Sequence, residues 1–181
     1  MEKVAYFHEA DYCQTEVLPS ENLAYCKRQM EDIDEFSEAH RDGDGFTDIF
    51  IREDNPISLA DRKIAVARLE QVLGPILEKC DRVFTGYSSY REECKNAGAF
   101  VYNENVSVFY DVDDGVVKNL WLMLVPYTRE ELEKGIEALN ALASLGDLIL
   151  ADWGWSFVES LQNKAQIADY MNERLKVFSE I

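Results

Sequence analysis

The residues with the most chemical potential stand near the start of the chain, where His8-Glu9-Ala10-Asp11-Tyr12-Cys13 puts five functional side chains into six positions. Such a turn could supply metal ligands or a Cys/His nucleophile. A nucleophilic cysteine needs a general base and an electropositive setting, whereas the neighbours here are acidic, which raises a thiol pKa. No His-Glu-x-x-His and no zinc-type spacing accompanies the turn, and the only other histidine, His40, falls at the end of a predicted helix. The plain reading is a polar β-turn followed by a buried Cys13. The catalytic alternative is a small hydrolase or transferase working through His8, Asp11 and Cys13.

Two further acidic patterns invite chemistry and do not carry it. Asp42-Gly43-Asp44-Gly45 looks like the opening of a calcium loop, but the register fails. With Gly45 as the turn glycine the first ligand is His40 and the bidentate position is Ile51; with Asp42 first, the turn position falls on Thr47. The neighbours Asp113/Asp114 and Glu92/Glu93 point to opposite faces if they lie on strands, so they do not pair as glycosidase acids. There is no phosphate-binding glycine loop, no P-loop and no serine elbow. No catalytic residue, metal or cofactor is assigned, and the sequence predicts a protein that is not an enzyme.

Other groups suit contact with a partner. Gly86-Tyr87-Ser88-Ser89-Tyr90 has the make-up of adaptable binding loops, and Asp152-Trp153-Gly154-Trp155 sets two indoles beside an acid at a strand break. Trp153 reads as core. The predicted partner-binding set is Asp42, Asp44, Asp48, Tyr87, Tyr90, Asp111, Asp113, Asp114, Asp152 and Trp155.

The element that must organise these residues is Asn105 to Pro126, two apolar runs joined by Asp113-Asp114-Gly115, a strong hairpin signal. Its arms are apolar on both faces, with Val106, Val108 and Tyr110 opposing Phe109, and Leu120, Leu122 and Leu124 opposing Trp121 and Met123. It is therefore predicted as the middle of a sheet covered on both sides. Before it, Val4 to Phe7 and Tyr12 to Leu18 read as strands. Ser20 is placed to cap a helix from about Glu21 to Ala39, with Leu23, Cys26, Met30, Ile33 and Phe36 as its buried stripe. Phe46 to Arg52 alternates like a strand, and Ser58 with Asp61 opens a helix from Leu59 to Leu73 that Gly74-Pro75 ends. Arg82 to Tyr87 and Gly98 to Tyr102 are strands, with Ser88 to Asn96 a loop or short helix between them. After the hairpin, Thr128 with Glu131 caps a third helix, Leu148 to Trp153 and Trp155 to Leu161 form strands, and Asn163 begins a last helix. The prediction is one α+β domain over residues 1–181, its central sheet mostly antiparallel or mixed, with helices on its faces.

Thirty-five acidic residues against eighteen basic ones give a formal net charge of −17. Such a field repels nucleic acid and anionic membrane, so neither is expected as a direct partner; solubility alone accounts for it, or a basic protein partner does. No run is long enough to span a bilayer, and the first residues lack the pattern of a signal peptide, which predicts a cytoplasmic protein. The widely spaced Cys13, Cys26, Cys80 and Cys94 fit reduced thiols in that compartment.

The blocks FHEADYCQTEVLP, GFTDIFIRE, FTGYSSYREEC and LILADWGW, taken in order, make the chain resemble immunity proteins of bacterial polymorphic toxin systems, of the Rhs-associated and contact-dependent growth inhibition kind. The resemblance implies stoichiometric neutralisation of a cognate toxin domain, a basic nuclease, in the cytoplasm. It carries no family-wide site residues. The acidic surface would stand in for a phosphate backbone, with Tyr and Trp as desolvated anchors. The rival expectations are the small enzyme above and an adaptor subunit with a broad apolar interface.

Overall fold

The hairpin forms as its pattern predicts. Asp114 and Gly115 take φ of +48° and +75°, the pair of left-handed residues that a tight twisted turn requires. In the computed structural model, which describes residues 2–180, the strands before it are β1 (Val4–His8), β2 (Thr15–Pro19), β3 (Arg41–Asp42), β4 (Gly45–Phe46), β5 (Glu78–Lys79), β6 (Arg82–Gly86), β7 (Glu92–Glu93) and β8 (Ala97–Asn103). The hairpin itself is β9 (Val106–Asp113) and β10 (Val116–Leu124), followed by β11 (Leu148–Asp152) and β12 (Phe157–Ser160). Four α-helices accompany them: α1 (Leu23–Ala39), α2 (Val66–Leu73), α3 (Arg129–Leu142) and α4 (Lys164–Ser179).

Seven strands make an antiparallel sheet in the order β12-β11-β2-β10-β9-β8-β5, so β10 is its central strand. One face packs Val106, Val108, Leu120, Leu122 and Leu124 against α2, α3 and α4. The opposite face carries two smaller cores. Phe109 and Trp121 lie under a second sheet, β1-β6-β7, with Ala5, Phe7 and Val83; Leu18, Ile149, Ala151 and Trp153 lie under Cys26 and Met30 of α1. The fold is a mixed α+β domain with both sheet faces covered.

The capping chemistry holds at α3, where Thr128 Oγ1 accepts from the Glu131 N–H and the Glu131 carboxylate accepts from the Thr128 N–H. It holds again at α4, where Asn163 accepts from Gln166. At α1 it does not. Ser20 opens a 3-10 turn, and Asn22 at the helix start turns its amide to the backbone of Ile57, donating to its carbonyl at 2.8 Å and accepting its N–H at 3.0 Å.

Two expected elements come out differently, and two short strands were not expected. The predicted helix 59–73 is two pieces, a 3-10 turn Leu59–Arg62 capped by Ser58 and Asp61, then α2. Between them Lys63 is left-handed, and the hairpin takes the backbone groups a continuous helix would have used: Val66 N–H donates to Gly115, and the Ile64 carbonyl accepts from Val117. The predicted strand 46–52 pairs only at its first residue, Phe46, within the small β3-β4 hairpin. Phe50 and Arg52 are partly covered while Ile49 and Ile51 stand outward, but among the described residues no neighbouring strand reaches them. Finally, β5 and β7 are two-residue strands created by neighbours, in segments with no strand period of their own.

Candidate functional site

The predicted partner-binding residues fall into separate groups. Asp42, Asp44 and Asp48 are exposed on the arm that leaves α1, and Asp113 and Asp114 are exposed at the hairpin tip, where Asp113 meets Lys118 at 3.4 Å. Asp111 is half-buried. Its Oδ2 accepts from Tyr12 Oη at 2.6 Å and from Asn119 Nδ2 at 3.0 Å. Burial and that bond hold the Tyr12 phenol well above its usual range.

Tyr87 and Tyr90 are exposed on the loop after β6, Tyr87 edge-on to His8 and Tyr90 donating to Glu92 at 3.1 Å. Gly86 makes this loop possible: at φ +155°, a Cβ there would lie 2.0 Å from the Tyr90 carbonyl oxygen. Trp155 is partly exposed, with Arg174 over its ring at 4.8 Å.

Asp152 corrects the expectation. It is 2 % exposed and faces inward. Its Oδ1 accepts the N–H groups of Gly154 and Trp155, and its Oδ2 accepts from Tyr170 at 2.6 Å and Arg174 Nη1 at 2.5 Å. The strand alternation that buries Leu148 and Leu150 on the helical face also carries Asp152 there. No partner reaches it; it closes a buried ion pair. The signal that could have found this is Arg174, spaced three and four residues from Met171 and Tyr170 on the inward stripe of α4.

The His8 turn does not assemble a nucleophile. His8 Nδ1 accepts the Ala10 N–H at 3.1 Å, capping a 3-10 turn at Glu9–Asp11, and Cys13 is buried at φ +54°. Burial first, then the charges of Glu16 and Asp111, push its thiol up to about 12. Among the described residues no group of three or more His, Cys, Asp or Glu is placed to hold a metal ion.

The residues that do converge were only partly foreseen. From Glu31 to Asp54 the chain carries ten carboxylates, namely Glu31, Asp32, Asp34, Glu35, Glu38, Asp42, Asp44, Asp48, Glu53 and Asp54, against two basic residues, Arg41 and Arg52. The helical acids lie on the outer face of α1 because its inner stripe is tied to β11 and β12 through Cys26 and Met30. The arm then presents Phe46, Ile49 and Ile51 at 61, 82 and 85 % exposure. Its roots are fixed. Thr47 N–H donates to the His40 carbonyl, Phe50 packs edge-on against Phe36, and Arg52 pairs with the buried Glu16 at 2.7 Å. An open cleft of about 350 Å³ lies between the end of α1 and the arm, lined by Phe36, Phe46, Asp48 and Ile49.

Comparison of the chain with family models, with curated proteins and with solved structures found no match. The class that can be stated is the one its geometry defines: a mixed α+β domain whose α1-and-arm segment is dense in carboxylates and tipped by exposed apolar side chains. No helix among the described residues is long and apolar enough to cross a membrane.

Proposed function

We propose that this protein binds and neutralises a basic toxin domain, a nuclease, by stoichiometric occlusion in the cytoplasm, as the immunity proteins it resembles in sequence do. The observation that supports this reading is the coincidence of ten carboxylates with bare Phe46, Ile49 and Ile51 on α1 and the arm. Large apolar side chains standing beside charge are costly to leave in water, and a partner that covers them gains their burial. The carboxylates supply attraction at a distance, and the apolar tips and tyrosines supply contacts at close range. The surface a nuclease uses for phosphates is the surface these acids would meet.

The test is co-expression with a candidate basic nuclease toxin domain, followed by association kinetics. The expected result is a one-to-one complex that restores growth, with an on-rate falling at least tenfold between about 20 mM and 150 mM salt, as electrostatic steering requires. An on-rate indifferent to salt removes the electrostatic basis. Self-association without such a partner would favour an adaptor subunit instead.

A further inference from the structure

Residues 49–52 have the composition of a strand and lack its neighbour. Ile49, Phe50 and Ile51 are apolar and β-prone, and the segment alternates in burial, with Phe50 and Arg52 partly covered and Ile49 and Ile51 outward. Both ends are held: Phe50 rests on Phe36, and Arg52 lies over Trp153 at 3.9 Å while pairing with Glu16. Yet among the described residues the backbone N–H and C=O groups of Phe50, Ile51 and Arg52 enter no hydrogen bond, and Ile49 N–H is met only by the side chain of Asp48. A strand-forming segment with an open ladder on its exposed side is a template for strand addition.

We propose that residues 49–52 are an acceptor edge, completed by an extended, basic strand of the partner. This rests on the reading that the protein binds a basic partner, and adds how that partner is held. Charge selects the occupant. Asp48, Glu53 and Asp54 flank the segment, with Asp42 and Asp44 at the base of the arm, while Arg52 is neutralised by Glu16, so an incoming strand bearing lysine or arginine is attracted. A second copy of this chain would bring the same acids against themselves. The outward Ile49 and Ile51 give the added strand an apolar pair to pack on, and the backbone groups give it register.

The test uses two synthetic decapeptides of equal charge, alternating Lys-Val and alternating Lys-Gly, with amide hydrogen exchange read residue by residue. The Lys-Val peptide is expected to slow exchange of alternate amides of the segment at least tenfold, Phe50 and Arg52 together or Ile51 alone according to the edge it joins; the Lys-Gly peptide, a poor strand former, is expected not to. Ile51→Lys, which keeps the backbone, is expected to weaken peptide binding at least fivefold. If both peptides perturb the acidic residues equally and leave the 50–52 amides unprotected, strand addition is overturned while the basic-partner reading stands. If neither peptide perturbs any residue, both fall.

Discussion

Arg52 lies over the indole of Trp153, its guanidinium carbon 3.9 Å from the ring centroid, while its Nη1 reaches the buried Glu16 Oε1 at 2.7 Å. Trp153 Nε1 donates to the same carboxylate oxygen at 2.8 Å, and Asn55 Nδ2 approaches it at 3.5 Å. Glu16 thus stands in the seam between α1 and the smaller sheet as the point where the arm is fastened to the main sheet.

Removing Arg52 unfastens the arm and leaves Glu16 with neutral donors alone. Arg52→Ala is expected to cost about 1–3 kcal/mol in denaturant unfolding, from the lost pair and the lost stacking together, the pair being discounted because Arg52 is partly exposed. Amide exchange at residues 46–51 should quicken. Arg52→Lys, which keeps the charge without the planar stack, should fall between.

The pair Asp152–Arg174 is buried on both sides and has a second charge-assisted bond, Arg174 Nε to the Leu124 carbonyl. Asp152→Ala leaves a guanidinium without its counter-ion and is expected to cost about 3–5 kcal/mol. The double replacement Asp152→Leu with Arg174→Met should cost less than either single change, since no charge is stranded. A double-mutant cycle in urea measures this directly.

Glu131 gives the fold a pH dependence. Burial by itself would raise its carboxyl, but bonds from Asn105, the Tyr127 N–H, Asn103 and the Thr128 N–H outweigh it and bring it down to about 2. A carboxyl depressed in the folded state contributes stability that is complete above its unfolded pKa of about 4.5 and is lost as pH falls toward 2. Glu131→Gln is expected to lower stability by about 1–2 kcal/mol at pH 7. Melting curves of the two proteins should converge as the pH drops from 5 to 2.

The two buried cysteines, Cys13 and Cys26, are expected to be unreactive in the native state. Burial raises all four thiols, with Cys13 pushed up to about 12 and Cys26 to about 11. At pH 8 a disulfide reagent should leave Cys13 and Cys26 unmodified in the folded protein and titrate all four thiols in guanidinium. Fast native labelling of Cys13 would restore the nucleophile reading of the His8 turn.

Ile49→Ala and Ile51→Ala truncate largely exposed side chains in the isolated chain, so stability should stay within about 0.5 kcal/mol. Association with the proposed basic partner should weaken by about 1–2 kcal/mol for each, mainly through faster dissociation. Equal affinities for the variants and the parent, measured by calorimetry, would place the interface away from the arm.

Local chemistry in the sequence determined the hairpin and its two-faced core, the capped starts of α3 and α4, the α+β class and the acidity. Each depends on neighbours within a few residues: Asp114-Gly115 for the turn, Thr128 with Glu131 for the cap, the period-two pattern of Val106 to Leu124 for burial on both sides. Tertiary structure alone decided the rest, because the competing partners lie far away along the chain. The hairpin backbone breaks the helix at Lys63, Arg174 draws Asp152 inside across 22 positions, and Ile57 occupies the Asn22 side chain at the start of α1. Phe46 to Arg52 shows the difference most plainly: its alternation specifies an extended chain, but a strand also needs a neighbour's N–H and C=O groups, and among the described residues none arrives beyond Phe46.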